Sequence, residues 1–372
     1  MSSLTPDEGH EIARPSESQR DPDYLRERLD SWLKATVDDD AVVTDVRLPS
    51  ANGMSSETLL ADARWGEENH ALVVRVAPLP ASNPIFPSYD LDWQFNLIKH
   101  VAETTDVPVP QLFWSETSPD PLGAPFFVMA RVDGRVPPDV MPYTFGSWVT
   151  EATPEERDAM VHSTVGVLAR IHATPLDGAP LTLPNDGETA LRAHLRGLRE
   201  FYDWASHGRT GSPLIERAFA HVDNRLPEDS EPVLSWGDAR IGNVMYDGFE
   251  PVAVLDWEMA TVGPRELDLA WMIFLHRFFQ DITELAGLDG LPDFLTREQV
   301  AEEYSAVTGY QPRDLDFYTL YAALIHAAVM YRVQTRAIAF GQAAEPDDPD
   351  DMIMHRKALE AMLAGTYWEN IR

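Results

Sequence analysis

The stretch LSWGDARIGNVMYDGFEPVAVLDWEMATVGPRELDLAW, residues 234–271, decides the fold of this chain. Two short valine-containing apolar runs, 244–246 and 252–255, flank a turn that contains Asp247 and Gly248. This pattern predicts a β-hairpin. Because the two open ends of a hairpin lie side by side, polar residues just outside its strands can meet in one small volume.

Three polar side chains stand at the ends of the predicted hairpin. Asp238 precedes the first run, Asn243 follows five residues later, and Asp256 comes directly after the second run. A carboxylate can orient a hydroxyl and accept its proton, while an amide oxygen and a second carboxylate are hard ligands that Mg²⁺ prefers. Phosphoryl transfer needs this set of groups. The alternative is that each of the three merely forms a turn.

The sequence around these residues resembles the aminoglycoside phosphotransferases and their kinase-like relatives. SWGDARIGNV, residues 235–244, is similar to that family's H-G-D-x-x-x-x-N loop. VLDWEMATVGPRELDLAW, residues 254–271, is similar to its I-D-W-x-x-x-x-x-G-x-x-x-x-D-L-A segment. Ser235 and Trp236 depart from the family pattern, since they replace an apolar residue and the His.

The resemblance implies a role for each residue of the motif. Asp238 would position and deprotonate the acceptor hydroxyl, and Asn243 and Asp256 would hold Mg²⁺. Asp268 would steady the catalytic loop without touching substrate. Arg240 would either neutralise charge that builds on the γ-phosphate or brace the loop.

Upstream of this stretch, the pattern predicts a leading helix, a small sheet and a second helix. The predicted helices cover residues 23–37 and 91–102, and the predicted strands cover 41–48, 56–65, 70–76, 111–115 and 125–130. We expect four regions: a disordered tail (1–22), an N-lobe (23–132), a linker (133–145) and a helical C-lobe (146–372).

The resemblance also implies a nucleotide site in the N-lobe. The loop that carries Gly53, Ser55 and Ser56 would approach the phosphates through its backbone N–H groups. Arg75 stands where the family has a Lys on the third strand; an Arg can still bind phosphate, although it can also be an edge residue facing solvent. Gln94 stands where the family has a Glu that pairs with this cation, so Arg75 would be oriented by a neutral hydrogen bond or by another acid.

The segment after the last N-lobe strand resembles the family's hinge between lobes. Backbone groups of Met129, Ala130 and Val132 would contact the adenine there. Because backbone groups would do the recognition, the identity of the residues says little, and a plain linker is the alternative.

The rest of the chain is predicted to be mainly helical. The predicted helices cover residues 153–172, 188–204, 213–225, 268–279, 296–308, 313–340 and 350–371, with a loop at 280–292 that could close over substrate. Asp281 and Glu284 in that loop are candidate contacts for a cationic acceptor. Glu258 is either a partner of the metal ligands or a surface residue.

Composition limits the possible functions. The chain has 372 residues, 29 basic and 61 acidic, for a net charge of −32. This charge argues against nucleic acid and against an anionic membrane surface as partners. There are no cysteines, which excludes disulfides and thiolate zinc sites. No signal peptide or membrane span is evident, so we expect a cytoplasmic protein.

These observations predict an α+β, two-lobed, protein-kinase-like fold with a small antiparallel N-lobe and a larger, mainly helical C-lobe. The expected activity is ATP- and Mg²⁺-dependent phosphorylation of a hydroxyl on a small molecule, with GTP as an alternative donor. The acidic surface is compatible with a cationic acceptor. The alternatives are a catalytically silent nucleotide-binding protein, or the same fold acting on choline, homoserine or a sugar. The sequence does not indicate the oligomeric state.

Overall fold

A five-stranded antiparallel sheet forms most of the N-terminal part of the computed structural model, which describes residues 20–49, 56–79, 82–228 and 230–369. The sheet order is β1-β2-β3-β5-β4. Its elements are α1 (Pro22–Thr36), β1 (Val42–Arg47), β2 (Glu57–Trp65), β3 (Glu68–Val76), α2 (Leu91–Thr104), β4 (Leu112–Glu116) and β5 (Phe126–Ala130). We call this part, residues 20–132, the N-lobe.

Alternating burial along the strands sets the two faces of this sheet. On β3, Leu72, Val74 and Val76 are buried in the core, so Arg75 points to the opposite face. Helix α1 closes the core side, where the ring of Trp32 packs edge-on against Phe126 at 5.0 Å. Arg75 therefore lies outside the core because side chains of successive residues on β3 point to opposite faces of the sheet.

Helices make up most of the remainder, which we call the C-lobe (residues 146–369). They are α3 (Trp148–Glu151), α4 (Pro154–His172), α5 (Ala190–Ala205), α6 (Pro213–Asp223), α7 (Glu266–Leu285), α8 (Arg297–Thr308), α9 (Leu315–Ala339) and α10 (Arg356–Ala364). Thr153 and Glu156 form a capping box at the start of α4, as the motif predicts. The architecture agrees with the predicted α+β class with two lobes of unequal size.

Two small β-ribbons lie between α6 and α7. They consist of β6 (Val233–Ser235) paired with β9 (Thr261–Gly263), and β7 (Val244–Asp247) paired with β8 (Glu250–Val254). The second ribbon is the predicted hairpin. The linker joins it through reciprocal backbone bonds between Arg135 and Tyr246, at 2.8 and 2.9 Å. The connection between the lobes therefore runs along the hairpin.

The predicted loop at residues 280–292 is wrong over its first part, because α7 continues to Leu285. Gln280, the first residue of the predicted loop, is buried and bonded. The Nε2 of Gln280 donates to the carbonyl oxygen of Asp289 at 2.8 Å, and its Oε1 accepts from the N–H of Leu291 at 2.7 Å. These bonds hold the following turn against the helix.

The predicted last helix, 350–371, is also wrong in part. A 3₁₀ turn covers Pro349–Met352 and α10 follows it. The carboxylate of Asp350 accepts from the hydroxyl of Ser212 and from the N–H of Leu214 at the start of α6. Among the described residues, no helix is long and apolar enough to cross a bilayer.

Candidate active site

Asp238 lies just after β6, and its carboxylate accepts hydrogen bonds from three side chains. The donors are Nε of Arg240 at 3.0 Å, Nδ2 of Asn243 at 2.6 Å and Nε1 of Trp271 at 2.7 Å. Charge-assisted bonds of this kind fix both the position and the plane of a carboxylate. Trp271 is a donor that the sequence did not reveal, because it comes from α7.

Asn243 ends a short 3₁₀ turn and connects the catalytic loop to the loop that follows β8. Its Nδ2 is committed to Asp238, which leaves its Oδ1 as the atom that can bind a metal. Its carbonyl oxygen accepts from the N–H of Leu255 at 2.9 Å. The residue next to Leu255 is Asp256, so the structure brings the predicted acid, amide and acid to adjoining positions.

Asp256 has a left-handed backbone, with φ of 58°. A non-glycine residue in that region is uncommon and strained, and such residues concentrate at functional sites. Its Oδ1 accepts from a terminal nitrogen of Arg75 at 3.1 Å. The cation of β3 is thus oriented by another acid, one of the two arrangements expected from the Gln94 substitution.

Trp236 occupies the position of the family's His and connects the catalytic loop to the loop after β8. Its indole Nε1 donates to the carbonyl oxygens of Leu255 and Asp256, at 3.0 and 3.2 Å. The side chain is buried, with 1% of its surface exposed. The indole therefore links the catalytic loop to the Asp256 loop.

Asp268 is fully buried and accepts four hydrogen bonds beneath the catalytic loop. They come from the hydroxyl of Ser235, the backbone N–H groups of Trp236 and Gly237, and Nε2 of His172, all at 2.7–3.0 Å. These bonds hold the three residues that precede Asp238. The geometry agrees with the bracing role that the resemblance implies for Asp268.

Gly237 is required by the course of the chain. Its φ is 86°, and a Cβ at this position would overlap the carbonyl oxygen of Met259. Only glycine fits this close approach, which places Asp238 directly beside the loop after β8.

Arg240 is held between two carboxylates. Besides Asp238, it donates to Asp139, which lies in the linker. Burial lowers the pKa of Arg240, but the charges of Asp238 and Asp139 raise it by more, so the guanidinium stays charged. Asp139 had no sequence signal beyond being an acid in a linker.

The other predicted nucleotide contacts are only partly described. Gly53 and Ser55 lie outside the described residues. Ser56 is buried, and its hydroxyl has no hydrogen-bond partner within the described part of the chain. Met129 and Ala130 end β5 with Val132 two residues further on, and the N–H of Ala130 is already committed to the carbonyl oxygen of Gln111.

The acids proposed for a cationic acceptor are engaged elsewhere. Asp281 and Glu284 lie on α7, and both bind Arg277, at 2.6 and 2.9 Å. Burial raises the pKa of Asp281, although Arg277 opposes that rise. Among the described residues, no group of three or more His, Cys, Asp or Glu side chains is arranged to hold a metal ion.

The structure combines a small antiparallel lobe, a helical lobe, and an acid, an amide and an acid at the ends of one hairpin, which is the arrangement that the resemblance to kinase-like phosphotransferases implies. The model of the phosphotransferase enzyme family matches residues 54–303. The match covers 250 of the 372 residues, so the chain belongs to this family.

The curated relatives are longer proteins, and they are named acyl-CoA dehydrogenases. The chain is 23% identical to Probable acyl-CoA dehydrogenase IBR3 of Arabidopsis thaliana, across 86% of this chain and 40% of that protein. It is 31% identical to acyl-CoA dehydrogenase family member 11 of Gallus gallus, across 54% of this chain and 25% of that protein. The chain thus spans less than half the length of either relative.

Solved structures share the fold. A candidate aminoglycoside phosphotransferase from Ralstonia eutropha JMP134 has a TM-score of 0.65 at 19% identity, covering 92% of this chain and 98% of that one. An aminoglycoside phosphotransferase complexed with GDP and kanamycin has a TM-score of 0.56 at 14% identity, covering 91% and 98%. A thermostable mutant of APH(4)-Ia in ternary complex with ADP and hygromycin B has a TM-score of 0.56 at 16% identity, covering 90% of this chain and 98% of that one. The predicted kinase-like fold is confirmed.

Proposed function

We propose that this kinase transfers the γ-phosphoryl group of ATP to a hydroxyl of a small molecule with Mg²⁺ bound. One observation carries the proposal: three donors fix the Asp238 carboxylate, and the hairpin sets Asp256 beside it. Such a carboxylate orients the acceptor hydroxyl and takes its proton as the oxygen attacks phosphorus. The proton passes from the hydroxyl oxygen to a carboxylate oxygen of Asp238.

The donor set fits a hard divalent cation. Asp256 offers a carboxylate, and Asn243 offers its Oδ1 because its Nδ2 is held by Asp238. Oxygen ligands of this kind, few in number, suit Mg²⁺ that is also bound by phosphates. When bound, Mg²⁺ supplies charge neutralisation at the phosphate oxygens.

Residues of the N-lobe would hold the nucleotide. Arg75 would turn its guanidinium to the α- and β-phosphates, for which its planar fork is suited. The buried, unpartnered hydroxyl of Ser56 supports a phosphate contact near the predicted Gly53 and Ser55. Because the N–H of Ala130 is engaged, the proposed adenine contacts fall to its carbonyl oxygen and to Val132, with Met129 beside them.

Arg240 is assigned a bracing role rather than a direct role at the γ-phosphate. Its guanidinium is already shared by Asp238 and by Asp139 of the linker. A pair of carboxylates on one guanidinium holds the catalytic loop to the linker. GTP remains a second donor to test, because the neighbour complexed with GDP and kanamycin shares the fold.

The comparisons suggest two acceptor classes. Aminoglycosides are named in several neighbour structures. The longer relatives are named acyl-CoA dehydrogenases, which makes a hydroxyl on an acyl-CoA a second candidate. Choline, homoserine and sugars complete the set of acceptors to test.

The test is Mg²⁺-dependent ADP release across these acceptors, with the Asp238→Asn protein as the critical variant. We expect one acceptor class to stimulate release, and the variant to lose on the order of 10²–10⁴ in rate. Asp247→Asn, an exposed acid at the turn of the same hairpin, is the matched control and should retain full activity. Unchanged turnover in Asp238→Asn would exclude the assigned base.

A catalytically silent nucleotide binder predicts a different result. Such a protein would show a thermal shift with Mg²⁺ and ATP but no acceptor-dependent release. The Gln94 and Trp236 substitutions are its supporting features. The bonds of Trp236 to the Asp256 loop weaken that support, because they hold the two loops of the site together.

A further inference from the structure

An open cavity of about 550 Å³ lies between the lobes on the side of α9. It is formed by the segment after β3, the end of α5 and the second half of α9. Its lining includes Asn83, Asp203, Trp204, His207, Arg209 and Arg332. The cavity lining does not include Asp238, Asn243 or Asp256.

Arg332 presents a cation at this cavity. Its guanidinium stacks over the ring of Trp204 at 4.5 Å and donates to Oδ1 of Asn83 and the carbonyl oxygen of Pro84, both at 2.6 Å. These partners are neutral, and within the described ranges Arg332 forms no ion pair with an acid. A guanidinium with fixed orientation and no counter-ion is suited to an anionic ligand.

The charged residues around the cavity do not neutralise the guanidinium of Arg332. Arg209 lines the same cavity and binds Glu345 at 2.7 Å, and Asp203 binds Arg199 at 3.2 Å. Burial lowers the pKa of Arg332, and the charges of Arg336 and Arg209 lower it further, while Tyr89 opposes them. Among the described residues, Arg332 is thus the charged lining residue that has no partner of opposite charge, because Arg209 and Asp203 are each paired.

Helix α9 is bonded to the segment after β3 beside the cavity. Arg332 donates to the carbonyl oxygen of Pro84, and Arg336, one turn further along α9, donates its Nε to the carbonyl oxygen of Ser82 at 3.2 Å. These bonds join the C-lobe side of the cavity to its N-lobe side.

We propose that this cavity is an anion-binding subsite in which Arg332 and Arg209 take a carboxylate or phosphate group of the acceptor. This role rests on the proposed phosphotransfer function. It implies that the preferred acceptor carries negative charge away from its reacting hydroxyl. The cationic acceptor compatible with the acidic composition is then the less favoured class.

The first experiment measures binding of inorganic phosphate by calorimetry, with ADP and Mg²⁺ saturating so that the donor site is filled. Arg332→Gln and Arg209→Gln should each weaken binding about 10- to 100-fold, since bonds to charged groups are involved. Arg217→Gln, an exposed arginine on α6, is the control with the same change of charge. Arg209→Gln leaves the contacts of Arg332 with Asn83 and Pro84 intact. A loss of phosphate binding in this variant is therefore due to the lost charge and not to a disturbed fold.

The second experiment compares hydroxy acids with their methyl esters as acceptors. Arg332→Gln should lower kcat/KM for the acids by about 10- to 100-fold and leave the esters nearly unchanged. Phosphate binding that is equal in Arg332→Gln, Arg209→Gln and wild type would overturn the site. Equal kinetic losses for acids and esters would overturn its role toward the acceptor. Arg332-dependent phosphate binding without turnover of any acceptor would uphold the anion site and refute the proposed phosphotransfer.

Discussion

The catalytic hairpin and the nucleotide-facing sheet are held in place to very different degrees. In the C-lobe, Asp238 accepts bonds from three side chains and Asp268 accepts four bonds. In the N-lobe, Arg75 bonds to a single side chain among the described residues, that of Asp256. The C-lobe side of the site is thus held by a network of hydrogen bonds, whereas Arg75 on the N-lobe side is held by one contact between the lobes.

Because of this difference, we expect substitutions in the two regions to have different effects on stability and activity. A buried network that is broken in one place leaves other polar groups unsatisfied, so loss of stability accompanies loss of activity. A contact between lobes can be lost without uncovering the core of either lobe. We therefore expect changes beneath the catalytic loop to affect folding, and changes on β3 to affect mainly the binding of nucleotide.

The largest effect is expected from Asp268→Ala. The change removes a buried carboxylate and leaves two backbone N–H groups and His172 without an acceptor. Breaking a buried pair of this kind costs on the order of 3–5 kcal/mol. Urea unfolding measures it, with Asp247→Ala as the exposed control. A loss below 1 kcal/mol, roughly what an exposed pair is worth, would show that the network is not cooperative.

The second largest effect is expected from acid, which should lower the free energy of unfolding through His276 in the C-lobe. Burial lowers the pKa of His276 to about 4, and its ring donates Nε2–H to the carbonyl oxygen of Leu291 while Nδ1 accepts from the hydroxyl of Tyr143. An unfolded histidine titrates near 6.5. The stabilisation from the neutral ring is thus complete above pH ~6.5 and is lost as the pH falls toward 4.

The measurement is the free energy of unfolding at pH 8 and at pH 5. The neutral ring of His276 should account for about 2 kcal/mol of the difference, and His276→Gln should show that much less pH dependence. His207→Gln, an exposed histidine, should follow wild type. If His276→Gln keeps the full pH dependence, the ring is already protonated or is not buried in solution.

The same contrast shows what the sequence could predict. The hairpin and the positions of Asp238, Asn243 and Asp256 follow from local patterns, because turn residues and apolar runs are neighbours in the chain. Asp139, Trp271 and His172 could not be predicted as partners, since they come from the linker, α7 and α4. Distant parts of the chain meet only through tertiary packing.

The prediction also placed the end of α7 too early. Gln280 and Thr283 fall in the predicted loop, but both lie on α7, where they are buried and bond neighbouring groups. Asp281 and Glu284, placed in that loop as acceptor contacts, instead bind Arg277 on the same helix. A polar residue indicates exposure only when no tertiary partner is available, and the sequence does not show such partners.

Arg75→Gln tests the N-lobe side of the comparison. The loss of a charged donor should raise the KM for nucleotide about 10- to 100-fold. The free energy of unfolding should change by less than about 1 kcal/mol, since the residue lies off the core face of β3. Arg75→Lys, which keeps the charge, should lose less, and Arg64→Gln, exposed on β2, serves as the control. A stability loss as large as that of Asp268→Ala would erase the distinction between the two regions.

The smallest effect is expected from Gln94→Met. Gln94 is buried on α2 with 4% of its surface exposed, and Arg75 takes its orientation from Asp256 instead. An apolar side chain of similar volume should therefore be tolerated, with the KM for nucleotide changing less than about threefold. Steady-state kinetics with ATP, run beside Arg75→Gln, measure this. A tenfold rise in KM would mean that the amide of Gln94 orients the phosphate-binding cation after all, and that the N-lobe has its own network.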